Sequence, residues 1–386
     1  MNKIKLVEDT IDKQDIKKLV KWLTSGNSVP RLTKGPLTIE LERKWSNWLG
    51  VDNTVFCNSG SSANLLMLWS LVEAKRINKE CKVVVPAISW ATDLSPVIQL
   101  GMKPVLCDCN LDDLSIDLDH FYQIAKTERP EVLMLVSVLG LAPQMDKIID
   151  ICEEFNIILL EDTCESMGTK YKDKKLGTFG LMSSFSTYFG HHISTIEGGF
   201  VSTNDEEMYE ILKCIRSHGW TRDSSEQFTK RHVEQWDTNN FDLLYKFYYS
   251  GFNLRSTDLQ AFIGLGQIDK LDNICSRRNE NFHIYNNGLE DFAPIITQGE
   301  NFISNFAYPI ISKNRDKIVK KLTDNNVEVR PLICGSMGHQ PFYVKKYKRL
   351  ALKNADIVNK QGMYIPNHQN LQKEHIQKVI SIIRGA

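Results

Sequence analysis

Phe185-Ser186-Thr187-Tyr188-Phe189-Gly190-His191-His192-Ile193-Ser194-Thr195-Ile196-Glu197-Gly198-Gly199 is the stretch on which the reading of this chain turns. A short strand-like run, Ser183–Tyr188, enters it, a turn carrying two adjacent histidines follows, and a glycine pair opens a second strand over Gly199–Thr203. The segment contains no lysine.

Upstream of it, short β-rich runs alternate with helical ones. Val83–Val85 precedes a helix near Asp93–Gln99, Val105-Leu106 precedes Leu118–Ala125, Val132–Val138 precedes Met145–Phe155, and Ile157–Leu160 follows. Such alternation predicts a mainly parallel α/β sheet, with ligands beyond the carboxyl ends of its strands. Nearer the start, Leu37, Leu41, Trp45 and Trp48 recur at helical spacing, with Pro36 at a first helical position and Gly50 closing the segment; a second helical pattern follows Gly60. Downstream, Glu206–Ser217 reads as a helix, His218–Tyr249 as loop-rich, and a long helix begins near Arg255. Phe306–Ile311, Arg315–Asn325, Val327–Arg330 and Glu374–Ile383 complete a smaller α+β portion. The expected organisation is a large α/β domain over residues 1–250 and a small C-terminal α+β domain over 251–386.

With 386 residues the chain exceeds the size at which one core usually stops growing. Lys plus Arg and Asp plus Glu both number 47, and no basic run stands out, so neither a nucleic-acid footprint nor an anionic-membrane patch is supported. The start of the chain has no apolar signal-like region, and the longest apolar run, Val132 to Pro143, is too short to span a bilayer. These features predict a soluble, cytoplasmic protein. The nine cysteines are scattered through apolar contexts and read as reduced packing residues; Cys107 and Cys109 lack a second pair at metal-ligand spacing. No metal site is expected.

Several motifs carry chemistry, each with a plainer alternative. Asn58-Ser59-Gly60-Ser61-Ser62 precedes a helix, where unpaired N–H groups make a phosphate site, although a Ser-capped helix looks the same. Ile158-Leu159-Leu160-Glu161-Asp162-Thr163-Cys164-Glu165 puts acids at a strand end, which could also be caps on a turn. Trp90, after the strand Val83–Val85, is a stacking surface or a core filler. Ser186 is a phosphate ligand or a strand-surface hydroxyl.

Together these segments resemble the DegT/DnrJ/EryC1/StrS group of pyridoxal-phosphate (PLP) sugar aminotransferases over nearly the whole chain. The resemblance implies a fold-type I PLP-dependent architecture, similar to aspartate aminotransferase. In that group a lysine stands seven residues before the first glycine of Glu-Gly-Gly and holds the cofactor covalently; seven residues before Gly198 stands His191. The same replacement marks a branch of sugar 3-dehydratases, so the resemblance implies non-covalent PLP and pyridoxamine phosphate (PMP), with His191 as catalytic base and His192 as the other candidate. It further implies phosphate binding by Gly60, Ser61, Ser62 and Ser186, ring stacking by Trp90, a pyridine-nitrogen contact by Asp162, and Glu165 near the ring hydroxyl. Asn253, in Gly251-Phe252-Asn253-Leu254-Arg255, would reach the cofactor of a neighbouring subunit, giving a homodimer with shared sites. Arg222, Arg255 and Arg330 lie where the group handles its nucleotide sugar, with salt bridging or structural capping as their alternative.

The implied reaction is C3 deoxygenation of a GDP- or CDP-linked 4-keto-6-deoxy sugar with L-glutamate as amino donor, in dideoxysugar synthesis for a surface polysaccharide such as lipopolysaccharide O-antigen. An iron–sulfur cluster, carried by a related CDP-sugar enzyme, is not expected, because Cys214, Cys275 and Cys334 are far apart. The rival is a nucleotide-sugar 4-aminotransferase, which needs a reactive lysine; Lys175 and Lys213 flank the segment at the wrong spacing. A catalytically silent binding protein of the same fold is a further alternative.

Overall fold

The computed structural model describes residues 3–290, 299 and 301–386. Its centre is a seven-stranded sheet in the order Asn53–Cys57, Gly199–Thr203, Met182–Ser186, Ile158–Asp162, Val132–Val136, Lys82–Pro86, Lys103–Cys107. Six strands point one way, and only Gly199–Thr203 opposes its neighbours. The near-continuous apolar runs of Lys82–Pro86 (Val83-Val84-Val85) and Val132–Val136 reflect burial on both faces, as a parallel sheet sandwiched by helices requires.

The helix Pro36–Leu49 forms as its spacing predicts, with Pro36 in the first turn and Gly50 ending it at φ +90. Its buried face carries Leu41 and Trp45, and the Trp45 ring stacks on Phe200 at 4.3 Å and meets Phe185 edge-on at 4.9 Å. Both phenylalanines lie on the strands that flank the histidine turn, so this cluster fixes where the turn leaves the sheet. The helix Asp258–Gly288 packs against the same helix. At that crossing a Cβ on Gly264 would sit 2.9 Å from Leu41 Cδ2, so the small residue permits the approach.

A second sheet pairs Ala307–Ile311, Gly362–Pro366 and Arg330–Pro331 antiparallel. The sequence reading missed its middle strand and also the helices Lys13–Thr24, Pro341–Tyr347 and Lys353–Gln361. The expected strand Val327–Arg330 is displaced: Val327 bridges Ile4, and the strand occupies Arg330–Pro331. The stretch His218–Tyr249 is not wholly loop, because Ser225 caps a helix over Glu226–Gln235 that buries Phe228. Its single buried anchor left no helical periodicity to read. Among the described residues no helix is long and apolar enough to cross a membrane.

Replacing Trp45 by Ala should lower unfolding stability by about 3–5 kcal/mol in denaturant titration, through lost apolar contact and a cavity between helix and sheet. A loss under about 1 kcal/mol would show that this cluster does not anchor the turn.

Candidate active site

Strand alternation sorts the acids at the end of Ile158–Asp162. Glu161 points to one face, where the N–H groups of Gly177, Phe179 and Gly180 each donate to it at 2.7 Å. Asp162, one residue on, points to the other face. There it lines a cavity of about 430 Å³ at the carboxyl ends of the parallel strands. Asp162 is buried and accepts hydrogen bonds from Asn64 Nδ2 at 2.6 Å and the Cys164 N–H at 2.9 Å. Among the described residues it forms no ion pair with Lys or Arg within 4 Å.

Around this carboxylate the cavity gathers seven of the expected site residues: Gly60, Ser61, Trp90, Asp162, Glu165, Ser186 and His191. The helix Gly60–Glu73 begins at its wall. Ser59 caps it by accepting the Ser62 N–H at 3.0 Å, and its Oγ also donates to Ser62 Oγ at 3.0 Å. Ser62 is thus engaged in the cap and does not line the cavity. A Cβ on Gly60 would come within 2.6 Å of Ser186 Cβ and 3.0 Å of Cys164 Sγ, so only glycine leaves the backbone open to a ligand there. Trp90 is 54% exposed, with its ring on the cavity rather than in the core.

His191 also lines the cavity, its ring 5.3 Å from that of Phe306 and 6.4 Å from that of Tyr188. Among the described residues its Nδ1 has no hydrogen-bond partner. Desolvation draws its pKa down from 6.5 to about 4; the Asp162 charge works against this and the Arg278 charge with it, so the ring is a neutral base near neutral pH. His192, the other candidate base, does not line the cavity. It is fully buried, off the cavity, with Nε2 bonded to the Ser304 carbonyl at 2.9 Å and Ser304 Oγ at 3.0 Å. Glu165 shifts the other way, from 4.5 up to about 8, because desolvation and the Asp162 charge outweigh the Leu139 N–H that donates to it at 2.6 Å. Near neutral pH it is largely a neutral carboxyl.

The remaining candidates lie outside this cavity. Asn253 is exposed and accepts from Arg255 Nε at 3.1 Å, beside the Ser217 backbone. Arg222 packs over Trp220 at 4.0 Å and Tyr245 at 4.9 Å and lines a separate hollow. Arg330 is exposed, but its register partner Tyr364 lines the cavity. Lys213 pairs with Glu210 at 3.1 Å, and Lys175 packs on Trp48 while donating to its carbonyl. Among the described residues, no lysine lines the cavity.

Sequence reasoning missed Asn64, Asp93, Tyr188, Phe306, Ile333 and Tyr364. Asp93 reads as an ordinary first-turn acid. Phe306, Ile333 and Tyr364 arrive from the second sheet and its loops, which no local pattern ties to the first. Among the described residues no group of three or more His, Cys, Asp or Glu is placed to hold a metal.

The DegT/DnrJ/EryC1/StrS aminotransferase family model matches residues 9–384. The chain belongs to this family. It is similar to GDP-4-keto-6-deoxy-D-mannose 3-dehydratase of Yersinia pseudotuberculosis, 33% identical with 98% of each chain covered. It is also similar to the crystal structure of a histidine variant of GDP-4-keto-6-deoxymannose-3-dehydratase with bound GDP-perosamine, at TM-score 0.90 and 31% identity over 99% of this chain and 100% of that one. A structure of GDP-4-keto-6-deoxymannose-3-dehydratase holding a trapped PLP-glutamate geminal diamine superposes at TM-score 0.88, with 30% identity over 98% and 99% of the two chains. The expected fold-type I architecture is therefore observed.

The pKa shifts predict opposite slopes of stability with pH. Because His191 is neutral in the fold, it withdraws stability as pH falls from 6.5 toward about 4, where only the unfolded chain takes up its proton. Glu165 is protonated in the fold, so it withdraws stability as pH rises from 4.5 through about 8. An NMR titration should show the His191 ring signals unmoved from about pH 8 down to about pH 5.5; a midpoint near 6.5 would show an imidazole in water-like surroundings.

Proposed function

We propose that this chain is a PLP/PMP-dependent 3-dehydratase, a lyase that removes the C3 hydroxyl of a nucleotide-linked 4-keto-6-deoxy sugar. The observation that carries the reading is that His191 and Asp162 line one cavity which, among the described residues, no lysine lines. A sugar aminotransferase of this family would need an amine there, and the nearest candidates, Lys175 and Lys213, are engaged elsewhere.

The residues present fit the cofactor. When bound, it supplies an amine that condenses with the 4-keto group and a ring that accepts the electrons released at C4′. Gly60 and Ser61 offer their N–H groups and Ser186 its hydroxyl to the phosphate at a helix start. Trp90 would stack on the ring, and Asp162 would pair with the pyridine nitrogen and keep it protonated. Glu165, as a neutral carboxyl, can donate a hydrogen bond to the ring oxygen. His191 would serve as the base for the proton at C4′, since its imidazole is neutral at neutral pH where a lysine amine would be protonated. Phe306, Ile333 and Tyr364 restrict water on that side.

The similarity to GDP-4-keto-6-deoxymannose 3-dehydratases supports a GDP-linked, mannose-configured substrate, with L-glutamate regenerating the amine and a dideoxysugar for surface polysaccharide as the destination. We further read the protein as a cytoplasmic homodimer with shared sites. The exposed Asn253 would serve the neighbouring subunit, and the exposed Trp236, Phe241, Tyr245 and Phe247 supply apolar surface for a second copy. In this reading Arg222, Arg255 and Arg330 neutralise the diphosphate.

Incubation with PMP, glutamate and GDP-4-keto-6-deoxymannose should release ammonia and a 4-keto-3,6-dideoxy sugar. Replacing His191 by Asn should lower that turnover by roughly 10²–10⁴-fold while leaving PMP binding within a few-fold. An amino sugar as the wild-type product would overturn the assignment, and full turnover in the variant would remove His191 from the role of base.

A further inference from the structure

Beside Asp162 lies a second carboxyl that the proposed chemistry does not use. Asp93 stands in the first turn of the helix Ala91–Gln99, three residues after Trp90, and is completely buried. Its Oδ2 accepts the Trp90 N–H at 3.1 Å, and its Oδ1 accepts Asn64 Nδ2 at 3.2 Å. That amide nitrogen also reaches Asp162 Oδ2 at 2.6 Å and the Thr92 carbonyl at 3.3 Å. One buried amide nitrogen therefore bridges two buried carboxyls.

The charges around this pair do not permit two anions. The strongest charges acting on Asp93 are those of Asp162 and Glu165, Cys164 and Cys334 in turn feel its charge, and the neutral His191 ring feels that of Asp162; among the described residues neither Asp93 nor Asp162 is salt-bridged to a Lys or Arg. Asn64 brings two N–H bonds to three acceptors and carries no charge. Two buried carboxyls bridged by one uncharged amide nitrogen, neither salt-bridged to a Lys or Arg among the described residues, do not both ionise readily, so one keeps its proton. Desolvation, followed by the Asp162 charge, pushes Asp93 well above the ordinary carboxyl range.

We propose that Asp93 is a positioning residue of the cofactor site: a neutral carboxyl that donates a hydrogen bond to Asp162 and, through its contact with the Trp90 backbone, locks the nitrogen-facing carboxylate to the ring-stacking wall. Asp162 then has three donors on its protein side, Asn64, the Cys164 N–H and Asp93, and turns its remaining lone pairs to the cavity. The stacking residue and the charged residue move as one unit. The inference rests on the proposed cofactor reading only for what Asp162 faces, since the proton on Asp93 belongs to the protein alone.

Two measurements test it. In the protein without cofactor, difference infrared spectroscopy between wild type and Asp93→Asn should reveal a protonated-carboxyl carbonyl band in the wild type at neutral pH; its absence would overturn the inference. In the PMP-loaded protein, the ring-nitrogen ¹⁵N shift and the PMP dissociation constant are compared across variants. Asp93→Asn keeps a neutral donor and should stay within about threefold of wild type with the nitrogen still protonated. Asp93→Ala, or Asp93→Ser if the alanine variant does not fold, should weaken PMP by about tenfold or more and move the ¹⁵N signal. An Asp93→Asn variant that loses tenfold in affinity, or an Asp93→Ala variant equal to wild type, would contradict the role. Failure of the wild type to bind PMP at all would sink the cofactor reading instead, leaving the infrared band to decide Asp93.

Discussion

A buried carboxylate with no Lys or Arg salt-bridge partner among the described residues governs this structure. Asp162 sits at the end of a central strand, takes hydrogen bonds from neutral donors, and faces a cavity rather than a Lys or Arg. Burying such a charge without an opposite partner is expensive, so the site is arranged for a ligand that brings a positive charge of its own. A protonated pyridine meets that requirement, and the open helix start at Gly60 and the bare Trp90 ring meet the other demands of a flat phosphorylated molecule.

The fold supplies this arrangement through few devices. Six strands run in one direction and deliver their ends to one edge, where Ser59 to Ser61, Trp90, Asp162 and Ser186 emerge from four different strands. Period-two alternation separates Glu161, satisfied by three N–H groups of a loop, from Asp162, which is left for chemistry. The glycine pair at the head of Gly199–Thr203 lets the returning strand pass against the Ser59–Gly60 backbone, where a Cβ on Gly199 would overlap the Ser59 carbonyl. The histidine turn therefore begins and ends at the cavity wall.

Much of this was legible in the sequence, for physical reasons that also mark the limit. The large sheet announces itself because buried parallel strands are short apolar runs punctuated by amphipathic helices, and Met145–Phe155 and Gly199–Thr203 fall where the pattern puts them. Pro36 and Gly50 bracket a helix by their backbone preferences alone. Asp162, Trp90 and the Ser-Gly-Ser turn were readable from their place after strands. His191 was not readable from pattern, since a histidine carries no positional signature; its importance came from the missing lysine at a family-defined spacing. Asn64 and Asp93 escaped notice because their contacts run between helices 29 residues apart in sequence. The strand Gly362–Pro366 and the helix Glu226–Gln235 were missed for want of periodicity, and with the strand went Tyr364.

The central claim is that an imidazole stands where the family's tethering amine would be, so the cofactor is held by shape and charge alone. Borohydride treatment of the PLP-loaded protein, followed by intact-mass and peptide mass spectrometry, tests this most directly. The account predicts an unmodified chain mass and a cofactor recovered free on denaturation. A reduced cofactor adduct on any lysine of the chain would contradict it.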